Sequence, residues 1–185
     1  YFCAEGSATP LPCPGGTRKN TSLSVMTSIN QCIVCPAGTS CSVGSALALP
    51  CLPGSVANQS AMETCSLCPA GEYQRAYGQT ACEACTPGFY CREGAATPEP
   101  CPGGTSADVV GLYSPGQCIN VPIGFWAPLG SRIPEPCPTS GFFCPGTLRD
   151  PLYHGAKPIL MAIGQSTRQE EVPALTKAMT LDMSI

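Results

Sequence analysis

Cys85-Thr86-Pro87-Gly88-Phe89-Tyr90-Cys91-Arg92-Glu93-Gly94-Ala95-Ala96-Thr97-Pro98-Glu99-Pro100-Cys101 is a frame to which the rest of the chain keeps returning. Its second half, a cysteine and nine residues ending in proline before the next cysteine, recurs from Cys3 to Cys13 and from Cys41 to Cys51. A fourth copy runs from Ala127 to Cys137, with alanine in place of the first cysteine. The sequence therefore reads as an array of repeats.

Working outward, the composition fits an array without a large core. The 185 residues include 15 Cys, 20 Gly and 21 Pro, so cross-links must replace burial. Aromatic residues are 6% and charged residues 11%, which leaves a neutral surface of small side chains that favours a glycosylated or assembled molecule. Net charge is -3, with nine Lys and Arg scattered singly, so no electrostatic footprint for nucleic acid or anionic membrane is present. The longest apolar run, Ile159 to Ile163, falls far short of the ~18 residues of a membrane span. Residue 1 opens inside a repeat and no secretion signal follows it, so a processed or partial polypeptide is expected.

Cysteines at this density become a disulfide framework in an oxidising compartment, which places the chain outside the cell or on its surface. Two acceptor motifs for N-linked sugar, Asn20-Thr21-Ser22 and Asn58-Gln59-Ser60, lie between cysteines and agree with that location. Part of the pairing is legible. Cys35 and Cys41, like Cys85 and Cys91, correspond to Val121 and Ala127 in the degenerate copy, where both cysteines are gone together. An unpaired thiol is a liability in an oxidising compartment, so joint loss points to Cys35-Cys41 and Cys85-Cys91 bonds. The others then pair as neighbours: Cys13-Cys32, Cys51-Cys65, Cys68-Cys82, Cys101-Cys118 and Cys137-Cys144. Interleaved pairing is the rival arrangement. Cys3 is left over, and its frame position assigns it a partner six residues earlier, before residue 1, or on a neighbouring chain.

Pro14-Gly15-Gly16-Thr17, Pro53-Gly54-Ser55 and Pro102-Gly103-Gly104-Thr105 supply tight turns, which leave room for short strands in irregular hairpins. The residues from Thr17, Glu72 to Gln74 and Val109 to Tyr113 are expected strands, and no helix is expected before residue 145. Phe2, Tyr90, Trp126 and Phe143 each precede a frame cysteine or its replacement, so each ring is expected to stack on the adjacent disulfide. Trp126 stands where the bridge is missing, either filling that volume or exposed as a contact. Beyond about Pro158 cysteine stops. Thr167 to Glu170 reads as a single capped turn cut short by Pro173. The alternation over Met179, Leu181, Met183 and Ile185 reads as a half-buried strand that docks on a following domain, on a neighbouring subunit, or on Ile159 to Ile163.

The frame C-P-x-G-x2-C, then nine residues ending in Pro-Cys, then P-G-G-T and C-x2-C resembles the ephrin-receptor-like cysteine-rich repeats. They are related in style to tumour-necrosis-factor-receptor modules, where pairing interleaves, and to EGF-like modules. Cys32 to Gly38 and Cys82 to Cys91 carry the resemblance, which covers about residues 1 to 147. It implies tandem modules in large secreted or surface proteins, acting as stalks and as adhesive or matrix segments with no catalytic residues. The tail from Ala178 to Ile185 also resembles the opening strand of small α/β modules that accompany such repeats.

Other chemistries have less support. Cys65, Cys68, Cys82 and Cys85 have the spacing of a zinc knuckle, but the same cysteines belong to a continuous ladder. His154 is the only histidine, and Glu170 and Glu171 are adjacent rather than spaced across a cleft, so an enzyme is not expected and no cofactor or metal is assigned.

The expected fold is a small disulfide-rich one: an extended tandem array of modules with short hairpins, little helix and a C-terminal strand. Its segments are 1–34, 35–84 with an extra small module, 85–120, 121–147, and a cysteine-free stretch at 148–185. The expected role is a structural or adhesive segment of an extracellular glycoprotein, with covalent glycans and other copies or flanking domains of the same protein as partners. Neither nucleic acid nor direct membrane insertion is expected. A ligand-binding receptor stalk is the alternative, for which Trp126 with Arg132 nearby is the one candidate anchor.

Overall fold

The computed structural model describes residues 1–147 and 157–160. Its repeating unit is one tight hairpin, here called a link. Link 1 is the bridge between Phe2 and Leu11. Links 2 to 5 pair Thr17–Arg18 with Ile33–Val34, Thr39–Ser40 with Leu49–Pro50, Ser55–Val56 with Ser66–Leu67, and Glu72–Tyr73 with Glu83–Ala84. Links 6 to 9 pair Phe89–Tyr90 with Glu99–Pro100, Thr105–Ser106 with Ile119–Asn120, Phe125–Trp126 with Glu135–Pro136, and Phe142–Phe143 with Ile159–Leu160. Links 2 to 9 are antiparallel two-stranded sheets.

The turn chemistry explains why the strands are so short. In link 6 the Phe89 N–H donates to the Thr86 carbonyl at 3.1 Å, and Gly88 takes φ 85°, the geometry of a type II turn. The same closure recurs at Thr17, Thr39, Ser55, Glu72, Thr105 and Phe125. Each turn delivers two strand residues before the chain enters the loop that returns it.

Each link from 2 to 9, except link 8, is closed by one internal disulfide. In links 2, 4, 5 and 7 the frame cysteine bonds to the residue just before the second strand: Cys13–Cys32, Cys51–Cys65, Cys68–Cys82 and Cys101–Cys118. In links 3, 6 and 9 it bonds to the residue just after the first strand: Cys35–Cys41, Cys85–Cys91 and Cys137–Cys144. The fold is thus a disulfide-rich array of hairpins with almost no helix.

Burial is local. Small clusters replace a single core: Phe2 with Cys13 and Met26, Tyr73 with Cys85 and Cys91, and Tyr90 with Cys101, Ala107, Leu112 and Cys118. Each of these rings packs against cysteines of the next link, so stacking couples neighbouring links rather than finishing one.

Three features depart from expectation. Val109 to Tyr113 forms no strand, because Gly111 takes φ 76° there; Leu112 alone turns inward, bridging to Tyr90, while Val109 and Val110 stay exposed. Two single 3-10 turns, Ile29–Gln31 and Pro115–Gln117, break the expected absence of helix before residue 145. Their cause is local: Ser28 and Ser114 each stand three residues before a glutamine. The side-chain oxygen of Gln31 accepts from the N–H groups of Thr27 and Ser28, and that of Gln117 from Tyr113 and Ser114. Finally, the segment border expected at 147 is crossed by the pairing of Phe142–Phe143 with Ile159–Leu160.

Candidate functional site

The feature most developed from residue to residue is the seam that joins one link to the next. Three backbone hydrogen bonds recur along it. The turn glycine donates forward: Gly16 to Cys41, Gly38 to Ala57, Gly54 to Gln74, Gly71 to Cys91, Gly88 to Ala107, Gly104 to Ala127 and Gly124 to Cys144, at 2.7–2.9 Å. The next link's loop donates back to the frame carbonyl, as Gly94 does to Cys68 and Gly130 to Cys101. The residue after the first strand donates to that loop, as Cys3 does to Met26 and Cys91 to Leu112. Satisfying backbone groups this way removes the cost of leaving them paired with neither water nor protein at a buried seam.

A second contact reaches two links ahead. The α-carbons of Gly16, Gly38, Gly54, Gly71 and Gly88 face the loop carbonyls of Ala61, Gly78, Gly94, Gly111 and Gly130, so closely that an added methyl would overlap the oxygen. Every described link from 2 to 6 is thereby held by its first and second neighbours.

Two adjacent links carry the same polar cluster. The Tyr73 hydroxyl donates to Glu83 at 3.1 Å, and the Tyr90 hydroxyl to Glu99 at 2.7 Å, each across the strand pair. Arg75 lies over the Tyr73 ring at 5.4 Å and Arg92 over Tyr90 at 5.7 Å. Arg92 also stands 3.7 Å from Glu99. The hydrogen bond to the glutamate is the main reason both phenols are pushed above the usual tyrosine range, with burial and the glutamate charge adding to it. Sequence reading missed this cluster; its signal was Tyr-x-Arg in both links with glutamate opposite the tyrosine.

The other singled-out residues are spread along the array. Asn20 and Asn58 occupy one position, the second residue after the first strand, in links 2 and 4; Arg75, Arg92 and Asp108 hold it in links 5 to 7. Asn58 is exposed, while Asn20 is half-buried and its side-chain oxygen accepts from the Ser22 N–H at 3.0 Å. In link 8 the place of the missing disulfide is filled by Val121 and Ala127, 1% and 0% exposed, with Trp126 half-buried beside them opposite Glu135. Arg132 is bonded to Asp108 of link 7, so it and Trp126 do not form a shared anchor. Cys65, Cys68, Cys82 and Cys85 are divided among three disulfides in different links. Cys3 is exposed and has no disulfide partner among the described residues. His154, Thr167 to Glu171, Met179, Leu181, Met183 and Ile185 lie outside the described residues.

No helix among the described residues is long and apolar enough to cross a membrane. Residues 54–100 match the family model described as tyrosine-protein kinase ephrin type A/B receptor-like. They run from the turn of link 4 to the end of link 6, and they are an ephrin-receptor-like cysteine-rich repeat, a module of the extracellular type. No curated protein matches the chain.

Proposed function

We propose that this chain is a structural and adhesive segment of an extracellular glycoprotein, a stiff length of a filament, surface appendage or matrix, without catalytic activity. The observation that supports this reading is the seam. Each link from 2 to 6 is hydrogen-bonded to the next and in backbone contact with the one after it, so bending at one junction strains two others. Beads on a flexible string would share neither contact. A solenoid whose units touch near neighbours transmits load along its length, and the disulfides keep each unit closed while it does so.

Sugars on Asn20 and Asn58 belong to this reading. They would stand on one edge of the array, two links apart, and hydrate a surface otherwise poor in charge. Other copies or flanking domains of the same protein are the partners it needs. A receptor stalk would present free arginine anchors, whereas Arg75, Arg92 and Arg132 are each engaged by residues of this chain.

Electron microscopy of native material tests the reading. Long regular fibres or a continuous matrix containing this chain are expected; isolated membrane-anchored rods would reject it in favour of the stalk.

A further inference from the structure

We infer that link 8 is a yielding element of the array, a hairpin that opens and unreels under tension ahead of its stapled neighbours and closes again when the tension falls. The inference rests on the structural reading above and assigns the place at which such a segment lengthens.

Tension between Cys13 and Cys144 takes each disulfide as a short cut and stretches only the chain between one bridge and the next. Three of those stretches, Cys32 to Cys35, Cys65 to Cys68 and Cys82 to Cys85, are three residue steps long. Two more, Cys41 to Cys51 and Cys91 to Cys101, are ten steps long. From Cys118 to Cys137 the chain runs 19 steps without a bridge. The cause is Val121 with Ala127, which merges two stretches that the Cys35–Cys41 and Cys85–Cys91 bonds keep apart in links 3 and 6. Fully drawn out, 19 residues span about 63–68 Å.

The way each link is closed decides which one gives first. In links 2, 4, 5 and 7 the bridge carries tension past the hairpin, and in links 3 and 6 it pins the turn and first strand, so that only the second strand can peel away. Link 8 has neither restraint and can open from both ends. Its strands pair over Phe125–Trp126 and Glu135–Pro136, and the Cys137 N–H donates to the Gly124 carbonyl at 2.8 Å. Backbone bonds such as Gly104 to Ala127 and Gly130 to Cys101 hold it on link 7, and Gly124 to Cys144 holds it on link 9. The pair of Arg132 with Asp108 lies at the surface, the side chains 67% and 52% exposed, where water screens it. Such bonds open and reform locally without covalent change. Links 7 and 9 keep Cys101–Cys118 and Cys137–Cys144 throughout, so the opened stretch stays mounted on closed hairpins, and reburial of Val121 draws it back.

Optical-tweezer extension of the full chain with its disulfides intact, tethered through peptide tags at its two ends, tests this. Link 8 is expected to open in one reversible step at a lower force than links 3 and 6. Val121→Cys with Ala127→Cys replaces about 21 Å of drawn-out chain by a bridge of about 6 Å, so that step is expected to shorten by about 15 Å and to rise to the force of links 3 and 6. Cys85→Val with Cys91→Ala copies the link 8 pair into link 6 and leaves Cys82 to Cys101, again 19 steps, unbridged; a second step is expected at the force and length of the first. Everything after Cys144 is common to the three chains, so differences between their traces report links 6 and 8. Peptide mapping establishes the bonds in each variant, and where one variant does not form them the other decides. A step whose force the new bridge leaves unchanged overturns the inference, as does a link 6 variant without a second low-force step. Native fibres alongside either of those results would leave the structural reading standing; a step that moves as expected with only isolated rods in native material would do the reverse.

Discussion

Ala61 is the non-glycine residue with positive φ, 63°, among the described residues, and it occupies the loop position that glycine holds as Gly78 in link 5 and Gly94 in link 6. A side chain there strains the backbone by about 1–2 kcal/mol, partly offset by the freedom glycine has when unfolded. Ala61→Gly is therefore expected to stabilise the chain by about 0.5–1 kcal/mol, read as a higher denaturant midpoint with disulfides intact. Gly88→Ala works the other way: the methyl has both an unfavourable φ and the Gly130 carbonyl against it, and a loss of about 2 kcal/mol or more is expected in the same measurement.

Tyr73 and Tyr90 set a dependence on pH at the same scale. Because the folded state holds these phenolic protons to higher pH than the unfolded chain, their contribution is fully present below the ordinary tyrosine value near 10 and is lost as pH rises through the folded value. The denaturant midpoint is expected to fall between about pH 9 and 11, and to fall less steeply in the Tyr73→Phe, Tyr90→Phe variant.

At the scale of the element, link 8 is the informative exception. It keeps the hairpin, the turn and the seam with no sulfur, because Val121 and Ala127 fill the space and the bonds from Gly104 and to Cys144 hold it on both sides. Restoring the bridge with Val121→Cys and Ala127→Cys is expected to form a disulfide, seen as a loss of two hydrogens by mass. It should also slow amide exchange in link 8, with a gain of about 2 kcal/mol for so short a loop. If the two thiols stay reduced in an oxidising buffer, the equivalence of this link with links 3 and 6 fails.

For the whole molecule, contacts that reach only first and second neighbours imply that damage stays local. Cys101→Ser with Cys118→Ser is expected to speed amide exchange at least about tenfold in link 7 and in links 5, 6, 8 and 9, while links 2 and 3 keep their protection. Uniform loss of protection along the chain would instead mean a single cooperative body, and the account of a load-bearing row of separate units would fail with it.

The sequence by itself determined that the chain is a cysteine-stapled array, since covalent spacing survives without any knowledge of folding: the joint loss at Val121 and Ala127 pointed to a bond between those positions elsewhere, and the structure has Cys35 bonded to Cys41 and Cys85 to Cys91. The Pro-x-Gly turns were legible for the same reason, being short-range chemistry. What only the tertiary structure decided was how links touch. The glycine approach two links ahead and the packing of Tyr73 and Tyr90 on the next link's cysteines depend on which links become neighbours, and the forward hydrogen bonds join residues well apart in sequence through backbone atoms that every residue type carries. Such contacts leave no side-chain signature, and the exposed valines at 109 and 110 show how a strand-like run yields to one left-handed glycine at 111 that the seam requires.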